Sequence, residues 1–148
     1  MPGAIWFLDT LMIPLVTAEH SGGAFFLAEQ HLPAGHVTPL HVQPCEDETF
    51  HVLDGRLTVH LDGREVTAGA GETVLVRRGT PHALRADAVT RCLVLDVPAG
   101  HDRFFAAVGR PAPEHRLPPP PEGPPDLEAM SAAARDARFE ILGPPPFA

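Results

Sequence analysis

The stretch Gly35–Gly55, GHVTPLHVQPCEDETFHVLDG, decides how the rest of the chain is read. Side chains of a strand point to alternate faces, so residues i and i+2 share one. His41 and Gln43 therefore look the same way. Pro44 has no N–H to give to a ladder and interrupts regular pairing there. Pro44 to Asp47 reads as a turn. The following strand, Glu48 to Leu53, puts Glu48, Phe50 and Val52 on one face. With that face turned inward, a carboxylate enters an apolar cavity, where an ionised carboxylate alone is too costly. A metal ion removes that cost and orders the neighbouring histidine. A second stretch, GETVLVRRGTPHALR from Gly71 to Arg85, can bring His82 to the same point.

Outward from this centre the chain alternates short apolar runs with turn signals. Trp6 to Val16 is expected to form an edge strand and a loop, interrupted by Pro14. Ala24 to Gln30 is a strand, with Phe26, Ala28 and Gln30 on one face. Asp54-Gly55, Asp62-Gly63 and Gly69-Ala70-Gly71 are turns. Between them Leu57 to Leu61, Arg64 to Thr67 and Thr73 to Arg77 are strands, and Ala88 to Val97 is the last long one. Short strands at this rhythm predict an all-β sandwich or barrel rather than βαβ units.

The rest is expected to cover that barrel. His101 to Val108 reads as a short helix stopped by Gly109 and Pro111, with Phe104 and Phe105 closing one end. Pro111 to Pro125 is proline-rich and stiff, long enough at about 3.1 Å per residue to cross the domain or a partner subunit. Asp126 caps a helix running through Phe139, with a thin stripe of Leu127, Met130, Ala134 and Ala137, and Gly143 with its following prolines ends it. The division that follows is a barrel over 1–110, a linker over 111–125 and a helical tail over 126–148, packed on the barrel or on a partner.

Composition excludes several function classes. A chain of 148 residues suits one domain with a real core. Its formal net charge of −8 argues against nucleic acid or an anionic membrane surface as partner. No apolar run reaches the length of a membrane span. The first residues lack a basic start and carry Asp9, so a signal peptide is not read and a cytoplasmic location is expected. Cys45 and Cys92 are too few for a disulfide framework. The chain has no lysine and no tyrosine, which excludes a Schiff-base or P-loop lysine and a tyrosine general acid.

The spacing now carries a resemblance. Gly35, five residues, His41-Val42-Gln43, four residues, Glu48, six residues and Gly55 resemble the first motif of the cupin superfamily, with Gln43 where that family has its second histidine. Gly71, Gly79 and His82 fall on the second motif, while Arg77 and Ala86 depart from it at positions that are not ligands. Over roughly Ala4 to Gly109 the chain is similar to small bacterial monocupins of the quercetin-dioxygenase-like kind. The resemblance implies a jelly-roll β-barrel with short C-terminal helices, a homodimer, and one divalent metal (Fe, Ni, Mn or Zn). Its ligands would be His41, Gln43, Glu48 and His82, with Glu48 doubling as proton acceptor.

Three functions follow as expectations. The first is a metal-dependent dioxygenase acting on a small enol or phenol, since two histidines and a carboxylate leave positions open for substrate and oxygen. The second is a zinc-dependent cyclase or isomerase, which a mixed N/O sphere containing Gln43 also suits. The third is a non-catalytic binding domain. Phe26, Phe50 and Leu84 are the expected cavity liners. His36 stands five residues before His41, an offset that turns it to the other face of a regular strand, so it reads as a surface or loop histidine. His51 and His60 alternate away from the interior, and His20, His31, His101 and His115 read as ordinary. Cys45 is a free turn thiol and Arg77-Arg78 a solvated pair.

Overall fold

The computed structural model describes residues 3–148. The amino-terminal segment forms two strands, β1 (Ile5–Phe7) and β2 (Thr10–Val16), reversed at Leu8 with φ of 52°. There follow β3 (Phe26–Leu32), β4 (Leu40–Val42), β5 (Asp47–Asp54), β6 (Arg56–Leu61), β7 (Arg64–Gly69), β8 (Thr73–Val76), β9 (His82–Ala86) and β10 (Thr90–Val97). Helix α1 (Asp102–Val108), β11 (Arg110–Pro111), α2 (Leu127–Asp136) and β12 (Glu140–Gly143) complete the chain.

The strands make two antiparallel sheets, and together they form a jelly roll. The larger runs β11-β1-β2-β3-β10-β5-β8 and the smaller β12-β4-β9-β6-β7. Period-two patterning sets which side chains lie between them. On β5 the buried positions are Glu48, Phe50 and Val52, and on β10 they are Thr90, Cys92, Val94 and Asp96. Leu57 and Val59 of β6, with Leu84 and Ala86 of β9, face them from the smaller sheet in one packed cluster. Each buried Val, Leu or Phe side chain among them contributes about 1.5–3 kcal/mol.

A second cluster closes one end. Phe7, Met12, Phe26 and Ala28 of the larger sheet meet Phe104 and Phe105 of α1, Met130 of α2 and Phe139. Phe7 packs edge-on to Phe104 and Phe105 with centroids 5.4 Å apart, and Phe104 meets Phe139 at 5.0 Å. Such contacts add about 0.5–1.5 kcal/mol each beyond area burial.

The tail departs from expectation in two places. Asp126 does cap α2, its carboxylate accepting from the Ala129 N–H at 3.0 Å. The helix, however, ends at Asp136 rather than running through Phe139. Arg138 takes φ of 64°, which turns the chain, and Phe139 swings into the aromatic cluster. Glu140–Gly143 then adds a strand to β4, with Ile141 opposite His41. Leu127, expected in the apolar stripe, is exposed, while Ala133 is buried instead. Strand β12 exists because a free edge at β4 waits for it, and nothing within the local sequence reports that edge.

The proline-rich segment lies along the same chain. Arg110 and Pro111 pair with β1. The Trp6 indole N–H donates to the Arg116 carbonyl at 2.8 Å, and the guanidinium groups of Arg110 and Arg116 lie over its ring at 5.1 and 5.2 Å. Leu117 adds to the small cluster of Ala4, Trp6 and Leu11. An otherwise open edge of the larger sheet is thereby covered.

One turn is tightly specified. Gly55 joins β5 to β6 at φ of 92°, and a Cβ there would meet Thr90 Oγ1 and the Val89 carbonyl at 2.5 Å. Gly55→Ala is expected to destabilise the chain by about 2–3 kcal/mol, from left-handed strain and overpacking together. A urea midpoint shift equivalent to less than about 0.5 kcal/mol, the range of neutral surface changes, would contradict this.

Candidate metal centre and cavity

The two central histidines are register partners. His41 on β4 lies opposite His82 on β9, with ring centroids 4.2 Å apart. Glu48 reaches them from β5 in the other sheet, its Oε1 3.3 Å from Nε2 of His82. Nitrogen or oxygen atoms of His41, Glu48 and His82 all fall within 4.8 Å of one another, and all three residues are buried.

The chemistry of this set fits a cation. Nδ1 of His41 donates to the Pro39 carbonyl at 2.8 Å, and Nδ1 of His82 donates to the Thr80 carbonyl at 2.9 Å. Both rings are thus held in the tautomer whose Nε2 carries a lone pair, as a ligating histidine requires. Burial, then the nearby His82, pushes His41 down to about 3, so its ring stays neutral. At Glu48, burial works to raise the pKa, but the hydrogen bond from His101 and its charge hold it well below the usual carboxylate range. Two imidazole lone pairs and an ionised carboxylate converge on one buried point, where a positive charge satisfies all three.

Gln43 is adjacent and buried. Its Nε2 donates to Glu46 Oε1 at 3.3 Å and lies 3.1 Å from Nδ1 of His101. Its Oε1 has no partner among the described residues. A buried amide oxygen left so costs about 1–3 kcal/mol, and a cation or its bound water would satisfy it. The donor set therefore fits a metal in chemistry, and Gln43 Oε1 is among the buried atoms left without a partner, with Asp96 Oδ1 nearby.

Two residues that the sequence reading passed over sit at the heart of the site. His101, read as ordinary, is 6 % exposed, with Nδ1 3.1 Å from Glu48 Oε2 and 3.2 Å from Asp96 Oδ2. Burial disfavours a charged ring, but Asp96 and Glu48 outweigh it and raise His101 to about 10. Burial and the charge of Glu48 push Asp96 well above the usual carboxylate range. At neutral pH the trio is a carboxylate, an imidazolium and a carboxylic acid. His101 holds Glu48 by Oε2 and leaves Oε1 toward His82. Asp96 is the register partner of Glu48. The alternation Cys92, Val94, Asp96 was the available signal for it, since it runs a carboxylate onto an apolar face. His101 had no such signal, because it precedes α1 and reaches Glu48 only through the path of the chain.

The cluster opens onto a cavity of about 70 Å³. His41, Glu48 and His101 form its polar wall, and Phe50, Leu84, Phe104, Phe105 and Phe139 supply apolar surface. Phe50 and Leu84 thus lie where the sequence places them. Phe26 does not: it packs into the end cluster and borders a separate surface groove with Phe105 and Pro14. It stands at the start of β3, where α1 covers the sheet, so its ring is absorbed by the aromatic packing. His36 also differs from expectation. It is buried and lines the cavity, because Gly35 at φ of 86° and the lone bridge at Val37 break strand alternation before His41. His51 bonds Thr73 Oγ1 and stays away from the cavity, and Cys45 remains a free thiol. Arg78 pairs with Asp47 at the surface.

A jelly roll with a His/Glu/His cluster between its sheets defines a small barrel able to hold a cation. The Cupin domain family model matches residues 28–98. Over that stretch the chain is a cupin domain. It is 28% identical to quercetin 2,3-dioxygenase of Bacillus subtilis over 115 residues, covering 77% of this chain and 34% of that protein. The chain spans less than half the length of the curated relatives it matches. Among solved structures, an RmlC-like cupin from Shewanella frigidimarina superposes with a TM-score of 0.58 at 16% identity, covering 66% of this chain and 86% of that one. The structure of KdgF from Halomonas sp. gives a TM-score of 0.57 at 17% identity, covering 64% and 83%.

Proposed function

We propose that the chain is a metal-dependent dioxygenase acting on a small enol or phenol in the barrel cavity. The observation that carries this reading is the set of two Nε2 lone pairs and the Glu48 carboxylate, converging at the wall of an apolar cavity. The likeness to a protein named quercetin 2,3-dioxygenase supports the reaction class. His41, Glu48 and His82 would hold the metal, with Gln43 Oε1 as a fourth, neutral donor. A divalent iron, nickel or manganese ion would bring oxygen and substrate together and supply or template electrons. Glu48 Oε1 takes the proton of the substrate hydroxyl beside it, while His101 keeps Oε2 and fixes the carboxylate's orientation. The aromatic end cluster excludes water from this step.

The cavity volume of about 70 Å³ narrows the substrate. Sites for drug-sized ligands run to roughly 300–1,000 Å³ and a cavity that encloses benzene to about 150 Å³, so the expected guest is a short enol or a ring only partly enclosed. Residues 1–110 would then be the reacting barrel, 111–125 its strap and 126–148 its cover. The same reading takes the protein as a cytoplasmic homodimer with neither nucleic acid nor membrane as partner. Among the described residues no helix is long and apolar enough to cross a membrane.

A zinc-dependent non-redox reaction is the second reading, favoured by the amide of Gln43 in a mixed N/O sphere. Elemental analysis of untagged protein purified without chelator separates the two. Near-stoichiometric iron, nickel or manganese with oxygen uptake on catechols or enols is the expected result. Zinc with turnover under anaerobic conditions would transfer the assignment to the cyclase or isomerase class.

A further inference from the structure

Two polar side chains of the cavity keep a group that neither the metal cluster nor a protein hydrogen bond uses. His36 is 5 % exposed and Gln30 is 8 % exposed, and both line the cavity. Nδ1 of His36 lies 2.7 Å from Oδ1 of Asp9, which sits in the reversal between β1 and β2. An ionised carboxylate accepts only, so Nδ1 is the donor and Nε2 carries the lone pair. Nε2 bonds no described residue and keeps contact with accessible space. The Gln30 amide is in the same position. A ligand hydroxyl that replaces solvent at these groups keeps them paired.

We infer that His36, oriented by Asp9 and lining the same cavity as Gln30, is a second polar anchor of the cavity and the proton acceptor for an acidic hydroxyl on a small aromatic or enolic substrate. This rests on the function proposed above for the choice of a hydroxyl-bearing guest, and adds where a hydroxyl other than the one beside Glu48 is received. The substrate O–H bond breaks and its electron pair stays on oxygen. The proton forms an N–H bond at Nε2. The imidazolium so made is stabilised by the Asp9 carboxylate through Nδ1–H, the arrangement that lets a histidine act as base in a dry site. The pKa of Asp9 accords with this pairing: its partial burial works to raise it, but the hydrogen bond and charge of His36 leave it lowered. Phe50, Leu84 and Phe105 supply the apolar faces between which a ring would lie.

The test uses full-length protein stripped of metal and 4-nitrophenol as probe, at a pH below that at which the free phenol ionises. Bound probe should show the phenolate absorbance band in the native chain. His36→Leu should lose the band and bind about tenfold or more weakly. His36→Gln, which keeps a hydrogen-bonding group but no base, should bind within a few-fold of native yet show no phenolate band. Asp9→Asn should reduce the bound phenolate fraction. No binding to the native chain, bound probe without the band, or a band that persists in both His36 variants would each overturn the assignment. Because the measurement is made without metal, failure of the native chain to take up metal in a separate titration would sink the oxygenase reading and leave this one standing.

Discussion

Replacing Glu48 with alanine is expected to abolish stoichiometric metal uptake. Glu48 is the one anionic donor in the His41/Glu48/His82 set and comes from the sheet opposite the two histidines. Without it the remaining donors are two neutral rings and the amide of Gln43. Loss of a group that merely orients a ligand weakens metal binding by about 10–100-fold, so loss of the charged ligand should exceed roughly 100-fold. Glu48→Gln keeps the volume and one donor oxygen and should show most of the same loss, which identifies charge as the cause. Metal content by elemental analysis after equilibrium dialysis is the measurement. Unchanged metal content in both variants would place the ion elsewhere. Both variants also leave His101 with Asp96 as its remaining carboxyl partner, so they should unfold at lower urea concentration whether or not metal is present.

Replacing His101 with leucine is expected to destabilise the metal-free chain by about 3–5 kcal/mol, the range for breaking a buried ion pair by removing one partner. The ring is buried and its Nδ1–H is shared between Glu48 Oε2 and Asp96 Oδ2. Leucine fills the space beside Phe105, whose centroid lies 4.7 Å from the His101 ring, but leaves a buried carboxylate beside a carboxylic acid with no cation. Urea denaturation of the metal-free variant reads the loss directly. A divalent metal that binds the variant should recover part of it by mass action, because it returns a positive charge to Glu48. A loss below about 1 kcal/mol would mean that Glu48 is neutralised by another route and that His101 is packing alone.

The two variants separate roles that one carboxylate combines. Oε1 of Glu48 faces His82 and the expected ion, and Oε2 faces His101. Metal affinity should follow the first contact and apo stability the second.

Much of this was legible in the residues themselves. The alternation of Glu48, Phe50 and Val52, the proline between Gln43 and Glu48, and the spacing from Gly71 to His82 are local patterns. A strand's pleat and a turn's φ requirement convert them into faces and reversals without knowledge of the rest. The strands and their turns, the inward carboxylate, the cap at Asp126 and the burial of Phe104 and Phe105 follow from such rules. What only the tertiary structure decided are meetings between segments far apart in the chain. His101 contacts Glu48 across 53 positions, and His36 finds Asp9 across 27. Glu140–Gly143 becomes a strand because β4 offers an edge, although the run before it favours helix. The orphaned oxygen of Gln43 likewise appears only when its neighbours are in place. Periodicity reports which way a side chain points. The partner it meets depends on loop paths and on the register between sheets, and these are settled by packing over the whole chain.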